Sequence, residues 1–118
     1  MKGVLRDKSF SFAIRIVNLY KYLCEEKKEF ILSKQVLRSG TSVGAMIREA
    51  EHSESIADFI HKMAIAQKEI NENIYWLELL TKTKYISNNE FESINIDAIE
   101  IIKMITSSIK TAKSKTNH

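Results

Sequence analysis

The pairs Glu49-x-x-His52 and Asp58-x-x-His61 come nearest to metal chemistry in residue type and spacing. A carboxylate and a histidine three apart share one helix face. Two such pairs, joined by a glutamate from each of two further helices, hold a di-iron centre inside a bundle. Here both pairs flank a short polar link, and helices one and four offer no inward carboxylate at that end, so no metal and no cofactor is expected. Cys24 lies in an apolar stripe with no histidine paired to it, which suits a small buried hydrophobe better than a nucleophile. Gly40 and Gly44 would cradle a phosphate only with a strand before them and a lysine after them, and the sequence has neither. No catalytic residue is assigned, and the chain is not expected to be an enzyme.

Arg48 and His52 are more closely spaced than the arginine and histidine of bundle-type ribonucleases, so they do not suggest a nuclease. Tyr75 and Trp76 could stack on bases, but on a core-forming helix such residues more often pack or form interfaces. Charge is more informative. The net charge is +3, with an isoelectric point near 9.0. Residues 1–48 carry ten Lys or Arg against four Asp or Glu, residues 49–100 four against eleven, and residues 101–118 four against none. Such asymmetry suits either an acidic partner or mutual attraction between helices of one bundle.

A chain of 118 residues, 44% hydrophobic and 28% charged, is expected to form one domain over 1–118 with a core of its own. No prolines and three glycines leave few helix breaks, which favours an all-α fold. A single cysteine and no leader-like start suit a reducing cytoplasm, and no apolar run is long enough to span a membrane.

Apolar periodicity predicts four helices over about 8–28, 30–52, 55–82 and 88–113, with a disordered tail at 114–118. In helix one, a basic lead from Met1 to Arg6 precedes a cap at Asp7 or Ser9. Two stripes follow, Phe10, Ala13, Val17, Tyr20 and Cys24 beside Phe12, Ile16, Leu19 and Leu23, and they require two neighbours. The charged run Glu25 to Glu29 gives no sharp stop. Helix two contains Gly40 and Gly44 on one face, each costing about 1 kcal/mol relative to alanine; close approach of a neighbouring helix would offset that cost. Ser55 and Asp58 start helix three, and Ser87 with Glu90 forms a capping box for helix four.

Short links make successive helices antiparallel, giving an up-down-up-down four-helix bundle. That topology places Lys2, Arg6 and Lys8 beside Lys110, Lys113 and Lys115, with Arg15 and Lys103 extending a basic surface on helices one and four. The acidic link Glu49, Glu51, Glu54 and Asp58 falls at the same end on the other helix pair. Pairing helices two and three sets Arg38 near Glu69 and Glu72, and Arg48 or Glu49 near Asp58 and Lys62, as ion pairs that fix register.

Arg38-Ser39-Gly40-Thr41-Ser42-Val43-Gly44-Ala45, Ile47-x-Glu49-Ala50, Asp58-Phe59-Ile60-x-Lys62-Met63-x-Ile65-Ala66-x-Lys68-Glu69 and Glu72-x-x-Tyr75-Trp76-Leu77-x-Leu79-Leu80 together resemble a known family. Its members are small four-helix-bundle proteins encoded by intervening sequences in bacterial 23S rRNA genes, related to accessory proteins of diversity-generating retroelements. The motif residues are Arg38, Gly40, Ser42, Gly44, Glu49, Lys62, Glu69, Glu72 and Trp76. The resemblance implies a cytoplasmic bacterial protein assembled as a ring-shaped homopentamer. It also implies a basic surface that, in the retroelement relatives, meets nucleic acid and a partner protein. Met46, Gln67 and Asn73 depart from the family's usual asparagine, leucine and threonine. The expectation is a non-enzymatic homo-oligomer that binds nucleic acid, RNA in particular, through backbone phosphates. The alternative is a structural or protein-interaction module that uses its charge asymmetry between subunits.

Overall fold

The computed structural model describes the backbone of residues 2–116 and the side chains of residues 3–115. Among the described residues the chain forms four helices and no strand: α1 (Lys2–Glu25), α2 (Leu32–Ala50), α3 (Ile56–Lys82) and α4 (Asn88–Thr116). Each helix packs against the next, and α4 closes the bundle against α1. The result is the expected all-α four-helix bundle, 52 Å long and 21 × 20 Å across. None of the described helices is long and apolar enough to cross a membrane.

α1 does not wait for a cap at Asp7 or Ser9. It begins at Lys2 because Leu5, only 6% exposed, inserts into the core and carries the basic lead with it. The Ser9 hydroxyl donates to the Arg6 carbonyl at 3.0 Å within the helix. Of the two apolar stripes, only one is core: Phe12, Ile16, Leu19 and Leu23 are buried, whereas Phe10 is 52% exposed.

The run Glu25 to Glu29 is a defined corner. Lys28 takes the left-handed conformation (φ 53°), and the Glu29 N–H donates to the Leu23 carbonyl at 2.9 Å. The Glu29 carboxylate then accepts from the backbone N–H groups of Ile31, Leu32 and Ser33 at 3.2, 3.1 and 2.7 Å. Three free donors at the start of α2 are thus satisfied by a residue ahead of the usual cap position.

α3 starts as its spacing predicts, with Ser55 accepting from the Asp58 N–H at 3.0 Å. Asp58 reaches back to the Glu54 N–H at 3.2 Å. The helix ends in a Schellman motif: the Tyr85 N–H donates to Leu80 at 2.9 Å and the Lys84 N–H to Thr81 at 3.1 Å, with Lys84 left-handed at φ 70°. Ser87 and Glu90 form the reciprocal capping box at 3.1 and 3.0 Å. α4 runs past the expected end at 113, so Ser114, Lys115 and Thr116 are helical. The rest of the expected disordered tail, Asn117 and His118, lies outside the described residues.

The core is continuous along the bundle. Ile16 and Leu23 of α1 meet Val36 and Val43 of α2, Ile70, Leu77 and Leu80 of α3, and Ala98, Ile101 and Ile105 of α4. Gly40 is where α1 and α3 close on α2. A Cβ built there would lie 2.7 Å from Cγ1 of Ile16, 2.8 Å from its Cγ2, and 2.9 Å from Nδ2 of Asn73. The cost of a mid-helix glycine is offset by that approach.

Candidate functional site

Arg38 lies on the α2 face that turns toward α3. Its Nη1 donates to both carboxylate oxygens of Glu69, at 3.0 and 3.3 Å, and its Nη2 donates to Glu72. The Trp76 indole N–H donates to the same Glu72 oxygen at 2.9 Å, and Tyr75 sits edge-on to Trp76 at 5.0 Å. The indole bond, then the guanidinium, holds the Glu72 carboxyl below the usual carboxylate range. Arg38 is raised in turn, first by Glu72 and then by Glu69. Because the Arg38 and Glu72 side chains are 47% and 38% exposed, the cluster is a surface network bridging α2 and α3, not a buried charged site. Ser42 of the same motif donates to the Arg38 carbonyl at 2.6 Å.

Further along the seam the expected pairing does not occur. Asp58 takes Lys62, four residues on, at 3.3 Å. Arg48 instead turns to the α1 side, where its guanidinium lies 4.9 Å over the Phe10 ring. Glu49 is exposed and makes no ion pair. Among the described residues, no three His, Cys, Asp or Glu side chains are grouped to hold a metal ion. Cys24 Sγ lies 3.7 Å from the Ser33 hydroxyl. Met46 packs half-buried against the core.

A buried amide beneath this seam is not visible in the apolar rhythm. Asn73 is fully buried and donates to the Val36 carbonyl at 3.0 Å and the Ser39 hydroxyl at 3.1 Å, while its Oδ1 has no partner. The signal was an amide inside the Ile70 to Leu77 stripe, opposite the small residues of α2.

The basic surface divides in two. Arg6 faces Glu51 at 3.8 Å, Lys8 faces Glu100 at 3.1 Å, and Arg15 faces Asp97 at 2.7 Å. Arg15 also donates to the Ser93 carbonyl and hydroxyl at 3.2 and 2.9 Å. The α1 cations therefore meet carboxylates, two of them on α4, not the α4 lysines. Lys103, Lys110 and Lys115 are exposed with no carboxylate of the described residues within ion-pair distance, and Lys113 is exposed beside them. The Lys2 side chain lies outside the described residues.

Residues 3–107 match the family described as the 23S rRNA-intervening sequence protein. The chain belongs to that family. A crystal structure from Bacteroides thetaiotaomicron, described as a protein of unknown function from the S23 ribosomal protein family, is 61% identical. It superimposes with a TM-score of 0.92, the alignment covering 93% of this chain and 99% of that one. None of the curated proteins matches the chain. The motif that carries the resemblance coincides with the α2/α3 seam. In this member of the family its residues make the close helix approach (Gly40), an ion-pair bridge from α2 to α3 (Arg38, Glu69, Glu72) and local bonds (Ser42, Lys62).

Proposed function

We propose that the chain is a non-enzymatic, homo-oligomeric scaffold whose subunits associate head-to-tail, the α1/α2 side of one against the α3/α4 side of the next. The observation that carries this reading is the set of large apolar side chains left exposed on α1 and on α4. Phe10 and Ile14 are 52% and 49% exposed on α1; Ile96 and Ile99 are 63% and 40% exposed on α4, with Tyr75 exposed on α3. Large apolar side chains grouped on two different faces suit a heterologous contact, which closes into a ring when the rotation allows it. The pairing of Arg6, Lys8 and Arg15 within the bundle supports the same reading, because those cations are already engaged. Lone Cys24 suits a reducing cytoplasm. Light scattering after gel filtration tests assembly: the family pattern of five subunits predicts five times the 13.6 kDa chain mass, and a monomer at micromolar concentration would reject it.

A second reading, binding of RNA by its backbone, is favoured by Lys103, Lys110 and Lys115 along α4, which have no carboxylate partners among the described residues. Protein stripped of nucleic acid should then bind a structured RNA with a steep log-log salt dependence. Lys103→Glu with Lys110→Glu should abolish that binding and leave the assembly intact. Loss of assembly in this variant would instead place the lysines between subunits.

A further inference from the structure

One end of the bundle is underfilled. Along α4 the core positions run Ile94, Ala98, Ile101 and Ile105, but the next two turns bring Ser108 and Ala112 to the same face. Small side chains at the end of an apolar stripe leave a gap opposite the start of α3. The pocket there measures about 1070 Å³, and its wall includes Leu5, Ile47, Ile56, Phe59, Met63 and Met104. It is at the upper end of the size range of small-molecule sites, and its apolar lining with a few polar groups fits that class. Leu5, Ile47 and Met63 are core side chains and form its floor, while Ile56 is 40% exposed.

Charge at the rim is divided. α4 contributes Lys103 and Lys115, neither within ion-pair distance of a carboxylate of the described residues, whereas the α2–α3 link contributes Glu51 and Glu54 on the other wall. Arg6 already faces Glu51 at 3.8 Å. The α4 hydroxyls of Ser107, Ser108 and Thr111 lie between the two lysines along the same wall. An occupant that satisfies both features has a flexible hydrocarbon chain and one anionic head.

We infer that this pocket binds a single-chain carboxylate amphiphile of the fatty-acid class. The head group lies at Lys115, near the open end of the bundle, and the chain runs inward past Phe59 and Met63 to Met104. Sodium dodecanoate, held below its micelle concentration, is the probe, with binding followed by titration calorimetry on the full chain. Saturable binding of one molecule per chain is expected, weakening by about fourfold for each methylene removed from the probe. Lys115→Gln should weaken dodecanoate by about threefold and leave 1-decanol unaffected. Ser108→Leu with Ala112→Leu fills the gap, so it should abolish binding while raising the melting temperature followed by circular dichroism. Absence of saturable binding to folded wild type, affinity independent of chain length, or undiminished binding by the filled variant would each overturn the assignment. If the filled variant fails to fold, the lysine variant and the chain-length series still decide the question.

Discussion

The level of Gly40 and the α1/α4 seam are built on different physics. At Gly40, three helices approach so closely that a single methyl group would collide with Ile16 and Asn73, and the buried Asn73 amide donates to Val36 and Ser39. At the α1/α4 seam, contact relies on long side chains: Lys8 to Glu100 and Arg15 to Asp97, all at least 39% exposed. An open groove lies beside Arg15, Tyr22 and Ser93. Buried, directional contacts tolerate little change, whereas exposed ion pairs contribute little and are screened. Of the family motif, Gly40 falls on the first kind of contact, whereas Arg38 with Glu69 and Glu72 belongs to the second.

The sharpest break should come from Asn73→Asp. The substitution loses the donor to Val36 and Ser39 and places a carboxylate at a fully buried position whose other oxygen already has no partner. We expect a loss of about 3–5 kcal/mol in urea denaturation, the range for an uncompensated buried charge. Next come the two motif glycines, which should respond with opposite signs. Gly40→Ala should cost about 1–3 kcal/mol by overpacking. At Gly44 a Cβ would lie 3.4 Å from the Ser9 carbonyl oxygen, an ordinary contact, so Gly44→Ala should gain up to about 1 kcal/mol from helix propensity. Equal effects at both sites would remove the distinction drawn at Gly40.

The α1/α4 seam should respond weakly. Arg15→Met is expected to cost less than about 1 kcal/mol, an effect that shrinks further as salt is raised. A loss as large as that of Gly40→Ala would make the two regions equivalent. The smallest effect belongs to acid pH. Glu72 and Asp58 both titrate below their ordinary values, Glu72 through Trp76 and then Arg38, Asp58 through the Glu54 N–H and then Lys62. The folded state therefore binds fewer protons than the unfolded chain near those values, and stability rises with pH there. Their stabilisation is present above the unfolded carboxylate range and is lost as pH falls through the folded values. Glu72→Gln should flatten that acid limb of the melting temperature, an effect well under about 1 kcal/mol at an exposed site.

Helix number, the Ser87/Glu90 box and the close approach at Gly40 were legible because each depends on local chemistry or on a period of three and four residues. The choice between the two α1 stripes was not, since Phe10 and Phe12 recur with the same rhythm and only the position of α2 and α4 decides which is buried. Glu29 sits inside a charged run, and its capping role depends on the turn at Lys28. The partners of Lys8 and Arg15 are hidden for a related reason: a charge sum by segment conceals Asp97 and Glu100 inside α4. Asn73 was hidden by its apolar neighbours on α3, and its role follows only once Val36 and Ser39 are seen opposite it.

The most direct test of assembly through two different faces is a mixing experiment followed by light scattering. Phe10→Asp with Ile14→Asp removes one face, and Ile96→Asp with Ile99→Asp removes the other; each folded variant alone should be monomeric. Mixed one to one, they retain a single complementary pair of faces, and the account predicts a stable heterodimer that grows no further. Two variants that stay monomeric when mixed, or wild-type assembly by either one alone, would contradict it.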